Sequence, residues 1–419
     1  MKYSIFIGIG LILFSAHAQT KQTLSIEECY QLAQKNYPLV KQRELILKSR
    51  EYSVENASKG YFPQMSINGF ATYQSDVTHV PMKVPGFSIP ELSKDQYKIY
   101  AELNQTIFDA GFIKMHKQTL GANTEVEAQK LEIELYKLKD RINQLFFGIL
   151  LVNEQLVQTE IFKKDIGLAL SKTTSAIKNG VALKSNGEIL QAELLKANQR
   201  TIELKAARNA FIDMLELFTN LSINENVQLI KPIDVIFNAD INRPEMILFD
   251  RQKKLIDVQS SYLFHKNLPK LSLFAQGGYG RPAIDMLNNN FDTYYIGGAR
   301  LSWPLSGFYT FKKDKALQEI NRNLLDIQKE TFLFNTNHTL KQQNAESLKL
   351  MELIKTDNEL IVLRQNIKNT AMIQFENGVL SASDYLRELN AEDQAKQNKL
   401  VHEIQLLIAH YNIQTTTGN

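Results

Sequence analysis

Along this chain of 419 residues, apolar and polar positions alternate with period two in four short segments and recur at three- and four-residue steps in most of the remainder. After Pro63, residues Met65, Ile67, Ala71 and Tyr73 share one face, and Gln64, Ser66, Asn68 and Thr72 the other. Tyr97, Ile99, Ala101 and Leu103 oppose Lys98, Glu102 and Asn104. Leu271, Leu273, Ala275 and Tyr279 alternate with Ser272, Gln276 and Gly278, and Tyr295, Ala299, Leu301 and Trp303 with Tyr294, Gly298, Arg300 and Ser302. Such alternation predicts strands over about 62–74, 96–107, 270–279 and 293–305. Elsewhere the period is helical. Ser25-Ile-Glu-Glu28 reads as a capping box opening a helix to about Ser58. Leu131, Leu135, Leu138, Ile142, Leu145, Ile149, Val152 and Leu156 step 4-3-4-3-4-3-4 through a proline-free stretch, a heptad that predicts coiled-coil-like packing. Helices are expected at about 112–178, 186–219, 245–266, 312–376 and 382–414. The longest would measure about 100 Å at ~1.5 Å per residue.

The pattern occurs twice. Residues 59–71, KGYFPQMSINGFA, are echoed at 265–277 by HKNLPKLSLFAQG, and residues 97–112 at 295–308. Asn179-Gly180-Val181 returns as Asn377-Gly378-Val379, and Ser185-Asn-Gly-Glu188 as Ser381-Ala-Ser-Asp384. Matches in one order at an offset of roughly 200 residues mark a duplicated unit of helix, two strands and two long helices. The reading divides the chain into repeat 1 at 19–219, a linker at 220–243, and repeat 2 at 244–419, with a weaker heptad in the second half.

The N-terminus bears on the compartment. Lys2 precedes an apolar run from Ile5 to Phe14, and Ala16 and Ala18 form a small-x-small pattern. Residues 1–18 are therefore expected to be a signal peptide cleaved between Ala18 and Gln19. Beyond it no stretch approaches 18 apolar residues, and no transmembrane helix is expected. The 48 basic and 45 acidic residues give no field suited to nucleic acid. Cys29 has no partner cysteine and sits at an apolar helix position. The histidines at 79, 116, 265, 338, 402 and 410 lack metal-ligand spacing, and no phosphate loop or nucleophile elbow stands out. Neither catalysis nor a cofactor is expected.

Alternation alone fits a water-soluble sheet and a membrane strand alike. Export and the isolation of the four strands favour the membrane, which a tilted strand of about 9–11 residues can cross. Tyr73, Tyr97, Tyr279, Tyr294, Tyr295 and Trp303 supply interfacial aromatics. Four strands leave open edges that hydrocarbon cannot satisfy, and closed barrels need about eight. The expected fold class is an α+β membrane protein of two repeats that closes only with other copies.

The leader, Leu24-Ser-Ile-Glu-Glu-Cys29, Gly60-Tyr-Phe-Pro63-Gln64, Ile107-Phe-Asp-Ala-Gly111 and the two Asn-Gly-Val turns resemble the TolC-type outer-membrane efflux proteins, in order across essentially the whole mature chain. The resemblance implies a homotrimer whose twelve strands form one barrel in outer-membrane lipid and whose helices form a periplasmic tube. It implies a passive channel of a tripartite efflux or type I secretion system in a Gram-negative bacterium. A periplasmic adaptor (membrane fusion protein) would join it to an inner-membrane transporter. It also implies that Gly180, Val181, Ala182, Gly378, Val379 and Leu380 are tips that dock the adaptor, and that Glu188 and Asp384 narrow the entrance. Where the family's best-known gate has a second acid, this chain has Arg387, which permits an Asp–Arg pair. Read as residues alone, Ser185-x-x-Glu188 and Ser381-x-x-Asp384 are also capping-box spacings, and both readings stand. The alternative function is a periplasmic coiled-coil adaptor or scaffold, a class without two-strand insertions between its helices.

Overall fold

The computed structural model describes residues 23–78, 81, 86, 91–223, 227–232 and 240–419. The expected cleavage site at Ala18 and Gln19, together with His79, lies outside the described residues. The elements run β1 (Thr23–Leu24), α1 (Ile26–Asn36), α2 (Gln42–Ser58), β2 (Gln64–Tyr73), β3 (Asp95–Phe108), α3 (Phe112–Tyr136), α4 (Leu138–Lys178) and α5 (Lys184–Thr219). They continue as β4 (Gln228–Leu229), α6 (Pro244–Lys266), β5 (Lys270–Arg281), β6 (Asp292–Ser302), α7 (Phe308–Glu376) and α8 (Ala382–Thr417). The chain forms two compact units, and each takes segments from both halves of the sequence. The units of compaction are therefore not the sequence repeats.

The first unit comprises 1–37, 137–239 and 340–415. The capping box forms as the sequence requires: Ser25 Oγ accepts from the Glu28 amide at 3.2 Å, and the Glu28 carboxylate accepts from the Ser25 amide at 2.8 Å. α1 packs on α4 and α5. Ile26, Cys29, Ile142, Phe146, Phe147, Ile149, Leu215, Ile404 and Tyr411 share one core. Burial pushes the Cys29 thiol up to about 12, assisted by Glu28 and Glu27, so the group is an inert apolar filler at neutral pH. Of the predicted heptad, Leu131 to Val152 are buried and Leu156 half-buried. One 18-residue window within 112–178 is apolar enough to pass a length-and-composition test for a membrane helix. The heptad of that segment is buried, and α4 packs on α1 and α5.

The second unit comprises 38–136, 240–339 and 416–419. Its sheet is antiparallel in the order β2-β3-β5-β6. The register opposes Ile67 to Ala101, Ala101 to Gly277 and Gly277 to Tyr295, and Met65 to Leu103. All four predicted apolar rows thereby fall on one side of one sheet. That side is open: Met65 is 74% exposed, Ile67 75%, Tyr295 86% and Leu301 70%. The outer edges of β2 and β6 have no partner among the described residues. The turn from β3 into α3 is held by Asp109, whose carboxylate accepts the amides of Gly111 (2.9 Å) and Ile113 (2.7 Å). Ala110 and Gly111 both take positive φ there, so the Phe-Asp-Ala-Gly motif has a mechanical reason.

Three expectations need correction. The helix expected from 25 to 58 is broken at Tyr37, which is extended because Pro38 follows it. The strand expected to reach 305 ends at Ser302, since Pro304 cannot donate to a ladder. Trp303 lies just past it, donating Nε1–H to the Asn267 carbonyl at 3.2 Å. The helix expected as one piece over 112–178 is interrupted at Lys137, between α3 and α4. In α7, Leu317, Ile320, Leu324, Ile327 and Phe334 keep a heptad spacing and are exposed.

Ile149→Ala is expected to lower stability by about 2–5 kcal/mol. Glu160→Ala, on the exposed side of the same helix, should change it by less than about 0.5 kcal/mol. Thermal unfolding of the two variants side by side checks this.

Candidate functional site

Both turns carrying the predicted tips belong to the first unit. α4 ends in a Schellman turn: the Val181 amide donates to the Ala176 carbonyl (3.0 Å) and the Gly180 amide to Ile177 (3.0 Å), with Gly180 at φ +75. α7 ends the same way. Val379 donates to Gln374 (2.9 Å), Gly378 donates to Phe375 (3.1 Å), and Gly378 has φ +71. Val181 is 78% exposed and Val379 76%, beside an exposed Leu183. Ala182 is half-buried, and Leu380 packs on the core cluster that contains Tyr385, Leu386 and Leu389. The tips thus present valines and a leucine to solvent, where an isolated domain gains nothing from them.

The two acids differ. The capping box expected at Ser185 does not form, because α5 starts two residues early, with Leu183 at the N-cap and the Asn186 amide on the Leu183 carbonyl at 3.1 Å. Leu183 is the N-cap and makes no side-chain cap bond. Glu188 is left exposed, facing Lys184 at 3.4 Å. At the second turn the cap does form: Ser381 Oγ accepts from the Asp384 amide (3.1 Å) and donates to the Asp384 carboxylate (2.7 Å). The other Asp384 oxygen takes Arg387 at 3.3 Å, and Arg387 also reaches Glu388 at 3.2 Å, which faces Arg364 at 3.4 Å. The Asp–Arg pair that the sequence permits is made.

Behind these turns lies an ionic lattice that spacing did not single out. Glu392 and Asp393 of α8 are buried. Glu392 faces Lys396 (2.7 Å) and Lys368 (3.5 Å), Lys368 also faces Asp165 (3.2 Å), and Asp393 takes Arg200 (3.0 Å) and Gln158 (3.0 Å). One set of charges therefore ties α8 to α4, α5 and α7. The visible signal was two adjacent acids inside a helix, with a lysine four residues on from the first. Tyr385 stacks on Phe375 at 5.3 Å within this region. Burial, reinforced by Asp165, Glu392 and Glu376, pushes its phenol up to about 12. Farther along, His402 Nδ1 meets the Asp357 carboxylate at 2.6 Å and His410 Nε2 meets Ser347 Oγ at 2.9 Å, pinning α8 to α7.

In the second unit, the polar side of the sheet has its own network. Gln276 donates to Glu102 (2.8 Å), and Arg300 donates to the other Glu102 oxygen (3.2 Å) while lying over Phe274 at 4.7 Å. No group of three or more His, Cys, Asp or Glu residues able to hold a metal occurs among the described residues. The arrangement is one of turns, surfaces and fixed charges.

No protein-family model matches the sequence, and no curated relative does. The fold does match solved structures. It is similar to the Campylobacter jejuni CmeC outer membrane channel with a TM-score of 0.64 at 12% identity, covering 94% of this chain and 85% of that one. For the outer membrane protein VceC of Vibrio cholerae the TM-score is 0.65 at 10% identity, with 94% and 96% covered. For the open state of the Neisseria gonorrhoeae MtrE outer membrane channel it is 0.64 at 12% identity, with 94% and 89% covered. The fold is that of these outer-membrane proteins.

Gly378→Ala forces a Cβ into left-handed backbone and is expected to cost about 1–2 kcal/mol. Gly167→Ala, mid-helix with open space around it, should stabilise by about 0.4–1 kcal/mol; paired thermal melts read both. The raised Tyr385 pKa favours the neutral phenol in the fold. Its contribution to stability is full below pH 10 and declines as the pH rises from 10 toward 12. Tyr385→Phe should remove one late-titrating phenol from an alkaline absorbance titration.

Proposed function

We propose that this chain is one protomer of a homotrimeric, passive channel in the outer membrane of a Gram-negative bacterium. On this reading its helices extend into the periplasm and it serves a tripartite efflux or type I secretion system. The observation that carries the reading is the sheet, with one open apolar face, one networked polar face and two unpaired edges. Three copies joined edge to edge give twelve strands, an apolar exterior for lipid and a lumen lined by Glu102, Gln276 and Arg300. The exposed heptad on α7 offers a seam for a neighbouring copy. The two sequence repeats would then supply six near-equivalent units around one axis. An adaptor or scaffold would leave the sheet face without an occupant, so that alternative is weaker.

The tips at Gly180, Val181, Ala182, Gly378, Val379 and Leu380 are the docking surface for a periplasmic adaptor, which links the channel to an inner-membrane transporter. The exposed valines support this. The entrance acids divide their work. Both acids face a cation, Glu188 with Lys184 and Asp384 with Arg387, but Asp384 is also committed to a helix cap, so three copies of Glu188 form the acidic ring, and Asp384 with Arg387 sets how the second turn is held.

Fractionation followed by electrophoresis with and without heating tests the assembly: an outer-membrane, heat-modifiable trimer supports it, and a soluble periplasmic monomer overturns it. In planar bilayers, Glu188→Ala should lower cation preference more than Asp384→Ala does. Unchanged conductance and selectivity in the double variant would remove the gate role from both acids.

A further inference from the structure

A groove of about 310 Å³ lies between α6 and α7 within the second unit. That volume is at the lower end of the usual range of ligand pockets. Helical phase fixes the side on which it opens. Lys270 belongs to the polar row of β5, and its Nζ lies 3.9 Å from the Phe112 ring centroid. Phe112 packs on Tyr262 at 5.1 Å, so Tyr262 marks the polar-face side of α6. Ser260 and Phe264 stand two residues either side of Tyr262 and are turned roughly 160° away from it, at about 100° per residue. They lie on the side of the apolar sheet face. Phe264 packs on Phe311 at 6.1 Å, which brings the same side of α7 to the groove. Ile320 is half a turn out of phase with Phe311, so the groove is clear of the exposed heptad.

Its groups are layered along the helix axes. α6 ends at Lys266 and α7 begins at Phe308, close to the ends of the strands. Phe264, Phe308 and Phe311 lie within about 5 Å of these helix ends, at ~1.5 Å per residue. Phe264 is 45% exposed and Phe308 39%. Ser260, Lys312 and Lys315 come next, about 6–10 Å from the helix ends. Asp257, Gln318 and Glu319 follow at about 13–17 Å. Arg322 reaches back to Asp257, and the two charges cancel. Lys312, Lys315 and Glu319 make no ion pair among the described residues. Gln318 carries a buried side-chain oxygen that accepts no hydrogen bond. The order away from the strands is therefore apolar, then cationic, then anionic.

A phospholipid with a primary ammonium headgroup presents the complementary order: methylenes, then phosphate, then ammonium. If the sheet spans the bilayer, as the channel reading has it, the interfacial layer beyond the hydrocarbon is about 5–8 Å deep. Lipid phosphates then reach the level of Lys312 and Lys315, whose long stems can snorkel toward them. This inference rests on that reading. We propose that the groove holds the headgroup of a phosphatidylethanolamine. Its phosphate meets Lys312 and Lys315, its ammonium donates to Glu319, and its first methylenes lie on Phe264 and Phe308. A choline headgroup has no N–H to donate there. An anionic headgroup would leave the Glu319 carboxylate without a cation.

Native mass spectrometry of the full chain tests the assignment, with protein extracted in dodecyl maltoside and offered equal amounts of dioleoyl phosphatidylethanolamine, phosphatidylcholine and phosphatidylglycerol. The wild type should retain phosphatidylethanolamine over each of the other two by roughly tenfold, the scale of one hydrogen bond to a charged group. Glu319→Lys should turn the preference toward phosphatidylglycerol. The Lys312→Gln, Lys315→Gln double variant should retain less of all three lipids. All three positions are exposed on a helix, so the variants leave the core intact. Equal retention of the ethanolamine and choline lipids by the wild type, a wild-type preference for phosphatidylglycerol, or unchanged selectivity in Glu319→Lys overturns the proposal. Undiminished retention in the double variant overturns it too. Bilayer conductance of the same wild-type preparation separates the two readings. A conducting channel without headgroup preference overturns the groove alone, whereas a chain that neither assembles nor conducts removes the membrane placement and the groove with it.

Discussion

Backbone hydrogen bonding at the two sheet edges is the constraint on which the rest depends. β2 and β6 are each paired on one side only. In water the outward amides and carbonyls would be solvated, yet Met65, Ile67, Tyr295 and Leu301 on the same strands would be exposed. In hydrocarbon the side chains are content and the backbone is not, at several kcal/mol for each unsatisfied group. Neither solvent suits a single copy. On the proposed reading, edge-to-edge closure with further copies would satisfy both requirements and would put the Glu102–Gln276–Arg300 network in an aqueous interior where its charges stay hydrated.

The helices answer a different requirement. Each long hairpin must reverse direction with its last carbonyls satisfied, and the two Schellman turns at Gly180 and Gly378 do this with the same backbone bonds. The hairpins differ just past the turn. Leu183 leaves α5 without a side-chain cap and frees Glu188, whereas Ser381 and Asp384 close the start of α8. Deeper in, Glu392 and Asp393 are buried only because Lys368, Lys396 and Arg200 meet them, since an uncompensated charge there would be costly. α8 is thus held to its neighbours by charge as much as by apolar packing.

Much of this was legible in the residues. Period-two alternation located four strands because the sheet has one apolar face, and the strict heptad of α4 located a buried stripe. The Gly-containing turns announced themselves through repetition. Other features were not local. Pro38 broke a helix that the capping box had opened, and the pattern on either side of it masked the break. The start of α5 two residues early depends on where α4 delivers the chain, which no spacing between Ser185 and Glu188 encodes. The α8 lattice joins residues some 200 positions apart, so its partners become visible only when the helices are packed.

The central claim is that both sheet edges are paired in the assembled protein, and amide hydrogen exchange tests it most directly. In protein purified from the outer membrane, amides across Gln64–Tyr73 and Asp292–Ser302 should be as slow to exchange as those of Asp95–Phe108 and Lys270–Arg281. If every second amide of the two outer strands exchanges rapidly while the inner strands stay protected, the edges are free and the account of a closed barrel is wrong.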